Sequence, residues 1–179
     1  MADDTLSAVA ARDIASILES LSDARVRYVV VGGVAVVLHG HLRLTADLDL
    51  VIALDRENVL AAVEALGALG YRPRPPVSAR QFADPEIRSS WVREKGMTVF
   101  SLWSPAYPGT DVDLFAEEPL PFDALRKRAR LAELYGVSVP IAGIPDLIAM
   151  KRTAGRPEDL QDIAALERIA LSLKRDGPA

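Results

Sequence analysis

The stretch that decides the fold is VVVGGVAVVLHGHLRLTADLDLVIAL, which runs from Val29 to Leu54. A glycine pair, Gly32-Gly33, separates two apolar runs, and two carboxylates, Asp47 and Asp49, stand at the start of the second run. This order predicts a buried strand, a glycine turn that opens a helix, and a second strand. Because residues two apart in a strand project to the same face, with Cα atoms roughly 6.6–7 Å apart, the two acids can converge on one small volume.

Two carboxylates on one face repel each other, and a divalent cation between them relieves the repulsion. Oxygen ligands without histidine or cysteine suit Mg²⁺ or Mn²⁺, and Mg²⁺ commonly takes further ligands from substrate phosphates. Glycines that leave a strand and open a helix let backbone N–H groups approach phosphate oxygens. The combination therefore predicts a triphosphate at Gly32 and Gly33, beside a metal held by Asp47 and Asp49.

A third acid is needed to complete a two-metal site and to accept the proton of an attacking hydroxyl. Asp113 in DVDLF is preferred because it lies within the apolar run 112–115, and Asp111, which shares its face but adjoins a loop, is the alternative. Taken alone, a glycine pair is often a tight turn, and Asp-x-Asp is often a cap or a solvated strand edge. Their occurrence in this order, followed by a third acid on a later strand, favours a functional site.

The rest of the chain alternates between apolar patterns of helical and of strand spacing. Helices are predicted at residues 5–24, 33–39, 56–69, 85–93, 145–153 and 157–173. Strands are predicted at residues 28–31, 48–53, 97–103 and 111–115, and in a hairpin of 129–134 with 137–141. Prolines 73, 75 and 76 argue against regular structure around them. We expect an α+β fold with a mixed β-sheet flanked by helices, in which residues 1–143 form a domain and residues 144–179 a helical segment packed on it.

The composition is typical of a protein of the cell interior. The chain has 179 residues, of which 50% are hydrophobic, a net charge of −4 and no cysteine. The absence of cysteine excludes disulfides and thiolate metal sites and suits a reducing cytoplasm. No apolar run reaches the ~18 residues of a membrane span, and the N-terminus lacks a signal-peptide pattern. We expect a cytoplasmic protein without membrane contact, in which nucleic-acid contacts are confined to the arginine-rich segment 71–95.

The pattern GGVAVVLHGHLRLTADLDL resembles the signature of the DNA polymerase β-like nucleotidyltransferase superfamily, in which Gly-Gly or Gly-Ser precedes Asp-x-Asp. Within that superfamily the chain is most similar to small bacterial AbiEii-type nucleotidyltransferases, which are linked to toxin-antitoxin systems. VDLF resembles the strand with the third carboxylate, and DLIAMKRTAGRPEDLQDIAAL resembles the C-terminal helical segment. The likeness covers most of residues 29–166 and is loose at 71–109. It departs from the many members that have serine in the place of Gly33.

The resemblance implies an α/β-type nucleotidyltransferase fold, with residues 1–143 as the nucleotidyltransferase domain. It implies that Gly32 and Gly33 hold the triphosphate of an NTP. The resemblance also implies Mg²⁺ (or Mn²⁺) as cofactor. Its metal ligands, which are also the catalytic groups, would be Asp47, Asp49 and Asp113.

Three further positions match the resemblance. Arg43 and Thr45 would orient the loop before the acids or touch phosphate, and Lys151 would face the nucleotide. A cation at Lys151 is also favoured simply because it lies near the C-terminal end of a helix. We expect Arg156, Asp159 and Asp162 to form surface ion pairs at the break between the last two helices.

The implied reaction is transfer of a nucleoside monophosphate from an NTP to a hydroxyl group by a two-metal mechanism. The acceptor is an RNA 3′ end, a protein side chain or a small molecule such as an aminoglycoside, and the arginines of segment 72–93 favour the first two. The resemblance also implies a cognate toxin or antitoxin partner. The alternative is a catalytically silent member that binds a nucleotide or a protein and acts as antitoxin or regulator.

Overall fold

The chain forms one mixed β-sheet with helices packed against it, seen in a computed structural model that describes residues 8–45 and 47–175. The strands are β1 (Tyr28–Val30), β2 (Leu48–Ile52), β3 (Arg72–Pro73), β4 (Val99–Trp103), β5 (Val112–Phe115), β6 (Arg130–Leu134) and β7 (Val137–Ile141). The helices are α1 (Ala8–Asp23), α2 (Gly32–Leu38), α3 (Arg56–Ala68), α4 (Pro85–Lys95), α5 (Phe122–Arg128), α6 (Ile144–Ala154) and α7 (Pro157–Arg175), with a 3₁₀ helix at Ala79–Ala83.

The sheet has seven strands in the order β3-β4-β5-β2-β1-β7-β6. Neighbours pair antiparallel except at two places, where β2 runs parallel to β5 and β1 runs parallel to β7. The mixed sheet confirms the predicted fold class. The parallel pairing of β2 with β5 decides the geometry of the site, because it places the two acid-bearing strands side by side.

The core lies on both faces of the central strands. All residues of β1 are buried, and β2 buries every residue except Asp49. Helix α1 turns one apolar face, with Ile14, Ile17 and Leu21, onto this core, as its helical spacing predicts. Strand β5 alternates instead, so that Val112 and Leu114 are buried while Asp113 is partly open.

Three elements were not predicted. The segment around the prolines contains the edge strand β3 and the 3₁₀ helix, so the prediction of no regular structure there was wrong. Pro73 fits because an edge strand can tolerate a missing N–H donor. At the start of helix α5, the Glu118 carboxylate accepts a hydrogen bond from the Phe122 amide at 3.0 Å, and the helix buries Phe122 and Leu125. Strand β7 has its predicted bounds, and the other predicted elements are found with ends shifted by a few residues. Residues 5–7 of the first predicted helix lie outside the described residues.

Helices α6 and α7 pack against each other after β7, and α6 ends at Gly155, whose φ of +64° is the left-handed conformation of a helix end. They correspond to the predicted helical segment, whose separation from residues 1–143 stays a prediction. Within residues 8–45 and 47–175, no helix combines the length and the apolar character needed to cross a membrane.

Candidate active site

The register between β2 and β5 brings two predicted acids together. Asp49 is paired with Asp113 across the parallel strands, and the residues just before them, Leu48 and Val112, are paired as well. Adjacent strands lie about 4.8 Å apart, and paired residues share a face. The flanking leucine and valine side chains are buried in the core, which leaves the two carboxylates on the face that opens to a cleft.

The glycine pair is packed so closely that no side chain fits there. Gly32 has a φ of +63°, and a Cβ built on it would lie 2.0 Å from Oδ2 of Asp49. A Cβ on Gly33 would lie 2.4 Å from Oγ1 of Thr45. The backbone of residue 32 thus lies directly against the Asp49 carboxylate, and the Thr45 hydroxyl occupies the space that a side chain at residue 33 would need. Close approach favours glycine at both positions, and at Gly32 the left-handed φ is a second reason.

The cleft in front of the acids has a volume of about 620 Å³ and lies between β4, β5 and helix α6. Gly32, Asp49 and Asp113 form its polar end. Its apolar walls include Val99, Phe115, Leu120, Leu147 and Met150, and Lys151 and Arg156 contribute cationic groups. The volume lies in the range of small-molecule sites, which is about 300–1,000 Å³.

The eight predicted site residues fall into two groups. Gly32, Asp49, Asp113 and Lys151 line this cleft. The other four, Gly33, Arg43, Thr45 and Asp47, do not, although Asp47 lies near enough for the Asp113 charge to act on it.

The acids disfavour one another's ionisation. Burial raises the pKa of Asp49 from its usual 3.8 to about 7, with smaller contributions from the charges of Asp113 and Asp47. The pKa of Asp47 is raised by the same causes, burial first and then Asp113 and Asp111. A cluster of anions in a partly buried cleft is a site where a bound cation would be strongly favoured.

The carboxylates of Asp47, Asp49 and Asp113 have no hydrogen bond or ion pair from residues 8–45 and 47–175, whereas Asp111 accepts a hydrogen bond from Nε of Arg74 at 2.6 Å. Asp111 is thus paired with Arg74, whereas Asp113 has no such partner among the described residues and is the acid available to a ligand. Across the same described ranges, no group of three or more His, Cys, Asp or Glu side chains is arranged to hold a metal ion. The donor set still fits Mg²⁺, which usually completes its coordination with waters and substrate phosphates.

Lys151 is buried between helices α6 and α7. Its Nζ lies 3.0 Å from Oδ1 of Asp159 and 2.7 Å from Oδ2 of Asp162. The prediction that these two acids form surface ion pairs is wrong, because they are only 3% and 2% exposed. Arg156, in contrast, keeps an exposed side chain and pairs with Asp159. Asp159 and Asp162 share the buried face of α7 with Ala165 and Leu166, a spacing that is compatible with burial but does not require it.

The arginines of segment 72–93 are largely engaged within the protein. Arg74 binds Asp111, and Arg80 pairs with Glu64 at 3.1 Å. Arg88 donates to the carbonyl oxygens of Phe82 and Leu54, at 2.7 and 3.2 Å, and Arg93 pairs with Glu94 at 3.3 Å. These contacts reduce the positive charge that the segment offers to an incoming polyanion.

Solved structures share this fold, although no protein-family model and no curated protein sequence matches the chain. One is the lincomycin-bound lincosamide antibiotic adenylyltransferase LnuA, with a TM-score of 0.58 and 16% identity over 88% of this chain and 96% of that one. Another is an antigenic nucleotidyltransferase-like protein from Paracoccidioides brasiliensis, with a TM-score of 0.53 and 15% identity over 89% of this chain and 76% of that one. At these identities the likeness shows that the chain has a nucleotidyltransferase fold, as predicted.

Proposed function

We propose that the protein is a Mg²⁺- (or Mn²⁺-) dependent nucleotidyltransferase that transfers a nucleoside monophosphate from an NTP to a hydroxyl group. The observation that supports this most is the pairing of Asp49 with Asp113 directly beside Gly32. Two acids that have no hydrogen-bond or ion-pair partner among the described residues, beside a glycine turn with no room for a side chain, suit a metal-bound triphosphate better than a purely structural role. Structural neighbours that are nucleotidyltransferases give the same class of reaction independent support.

Each residue of the site has a distinct task in this proposal. Asp47, Asp49 and Asp113 would hold the metal, which when bound neutralises negative charge on the phosphate oxygens. Gly32, which has no side chain, lets the Asp49 carboxylate lie directly against the turn at which the triphosphate would bind. The acceptor oxygen attacks the α-phosphorus, the bond between that phosphorus and the bridging oxygen to the β-phosphate breaks, and pyrophosphate leaves. The hydroxyl proton passes to Asp113 as general base.

The hydroxyl of Thr45 compensates for the glycine at residue 33. Members of the superfamily with serine there have a side-chain hydroxyl that can bond phosphate. In this chain Oγ1 of Thr45 lies where the side chain of residue 33 would begin. We therefore propose that Thr45, rather than Arg43, is the residue of this segment that supports the glycine turn at the triphosphate.

The acceptor that fits best is a small molecule with a hydroxyl group. An RNA 3′ end and a protein side chain were favoured by the arginines of segment 72–93, and four of these now have internal partners. A cleft of about 620 Å³ with apolar walls suits a compact acceptor, and LnuA was crystallised with lincomycin. Membership of the AbiEii-type group and a toxin-antitoxin partner stay predictions, as does the silent nucleotide-binding or partner-binding alternative.

The experiment that tests the reaction uses α-labelled NTPs with Mg²⁺ and purified protein. Separate reactions contain total cellular RNA, cell lysate protein and a pool of hydroxyl-bearing small molecules that includes aminoglycosides and lincosamides. We expect label in the small-molecule fraction with wild type and none with Asp49→Ala, while Asp111→Ala, whose side chain is occupied by Arg74, retains transfer. Binding of NTP by a wild type that labels no acceptor would favour the silent alternative.

A further inference from the structure

The carboxylate of Asp162 contacts both helix α6 and residues 41–45, the segment that precedes the catalytic acids Asp47 and Asp49. Asp162 lies on α7 and is 2% exposed, and Lys151 reaches it from α6 with Nζ at 2.7 Å from Oδ2. Nη1 of Arg43 donates to the same oxygen, and Nε2 of His41 lies 3.8 Å from Oδ1. Burying a carboxylate costs several kcal/mol unless it is paired, and Lys151 and Arg43 supply that pairing for Asp162.

Residues 41–45, called here the Arg43 loop, are held by their polar side chains. His41, Arg43 and Thr45 are half-buried, whereas Leu42 and Leu44 are 61% and 86% exposed. The apolar side chains of the loop therefore contribute little to its position. Its attachments through side chains are the ion pair of Arg43 with Asp162, the longer contact of His41 with the same carboxylate at 3.8 Å, and the packing of Thr45 against Gly33.

We propose that Asp162 is a positioning residue that fixes the Arg43 loop, and through it Asp47 and Asp49, which follow the loop in the chain. The catalytic consequence rests on the proposed nucleotidyl transfer. Arg43 then acts through Asp162 and does not bind phosphate. A displacement of about 1 Å in a reacting geometry can lower turnover by about 100-fold, so a loose loop has a measurable effect.

The sign of the effect on NTP affinity separates this role from a direct phosphate contact. If Arg43 and Lys151 were phosphate ligands restrained by Asp162, Asp162→Asn would free two cations and tighten NTP binding. If Asp162 positions the loop, the same substitution lowers kcat by about 10- to 100-fold and does not tighten binding.

The test compares Asp162→Asn, Arg43→Met and the double variant with wild type. The control is Glu167→Gln, which removes the exposed pair of Arg152 and Glu167 that also joins α6 to α7, at 3.0 Å, without touching the loop. The readouts are kcat, KM for NTP, thermal unfolding and hydrogen exchange of the loop amides in the protein without ligand. We expect both single variants to exchange faster at residues 41–45 by about tenfold or more, the double variant to add little, and the control to match wild type.

Unchanged exchange in a folded Asp162→Asn, additive effects in the double variant, or tighter NTP binding would each overturn the proposal. If Asp162→Asn does not fold, Arg43→Met carries the test, because Arg43 is partly exposed and its removal leaves Asp162 paired with Lys151. The exchange measurement needs no substrate. Faster loop exchange in a protein without transferase activity would therefore support the positioning role while contradicting the proposed reaction.

Discussion

Replacing Asp49 with asparagine should stabilise the metal-free protein at alkaline pH. Asparagine keeps the shape of the side chain and removes the charge that burial and the neighbouring acids disfavour. A carboxyl group with a folded-state pKa of about 7 and an ordinary value of 3.8 holds more protons in the folded than in the unfolded protein between these values. The contribution of Asp49 to the free energy of unfolding therefore falls as the pH rises through this range.

The size of the effect follows from the pKa. Above pH 5 the unfolded carboxyl is already ionised, so the loss is about 1.36 kcal/mol for each pH unit up to the folded pKa, or about 3 kcal/mol between pH 5 and pH 7. Water in the cleft screens part of this effect, and we expect roughly 1–3 kcal/mol. Asp49→Asn lacks the titrating group and does not lose this stability. The difference in free energy of unfolding between the variant and wild type should therefore be larger at pH 8 than at pH 5 by roughly 1–3 kcal/mol.

The assay is urea unfolding of both proteins in EDTA at pH 5 and pH 8. Asp111→Asn is the matched control, because it makes the same substitution at a nearby carboxylate that forms an ion pair with Arg74. It should not gain stability at pH 8. The reasoning is refuted if wild type and Asp49→Asn have parallel stabilities at the two pH values.

Three further predictions concern ligands and the glycine turn. Calorimetry should show NTP affinity that depends on Mg²⁺, and equal affinity in EDTA would contradict a site built on carboxylates. Gly32→Ala should destabilise the protein by roughly 1–3 kcal/mol and abolish NTP binding, since it adds a Cβ to a left-handed backbone against Asp49. Its control is Gly67→Ala, because Gly67 lies on α3 with open space around its Cβ position. In the same urea titrations the control should be more stable than wild type by roughly 0.5–1 kcal/mol. Asp113→Asn should retain much of the NTP affinity and lose transfer of label from α-labelled NTP, and full transfer would exclude it as the base.

Local patterns predicted the elements that carry the site, and long-range packing decided how they meet. The glycine pair and the apolar runs around it were sufficient for β1, α2 and β2. Spacing alone left the choice between Asp111 and Asp113 open, because both side chains share a face. The structure favours Asp113, because Asp111 is paired with Arg74, which lies in a proline-rich segment far away in the sequence. Helix α5 escaped prediction because it is short and starts beside prolines.

The acids of α7 show a second limit of prediction from the sequence. Three-residue spacing on a helix is as typical of solvated ion pairs as of a buried cluster. Only the packing of α6 on α7, which buries Lys151, turns Asp159 and Asp162 inward. The contact between Arg43 and Asp162 joins residues far apart in sequence, and no local pattern encodes it.

The most direct test of the central claim is a crystal structure of the protein with Mn²⁺ and a non-hydrolysable NTP analogue, measured at a wavelength where Mn²⁺ scatters anomalously. If these acids bind the metal, an anomalous peak should lie between the carboxylates of Asp49 and Asp113, with the triphosphate against the backbone of Gly32. An analogue bound elsewhere, or bound in this cleft with no peak at these acids, would contradict it.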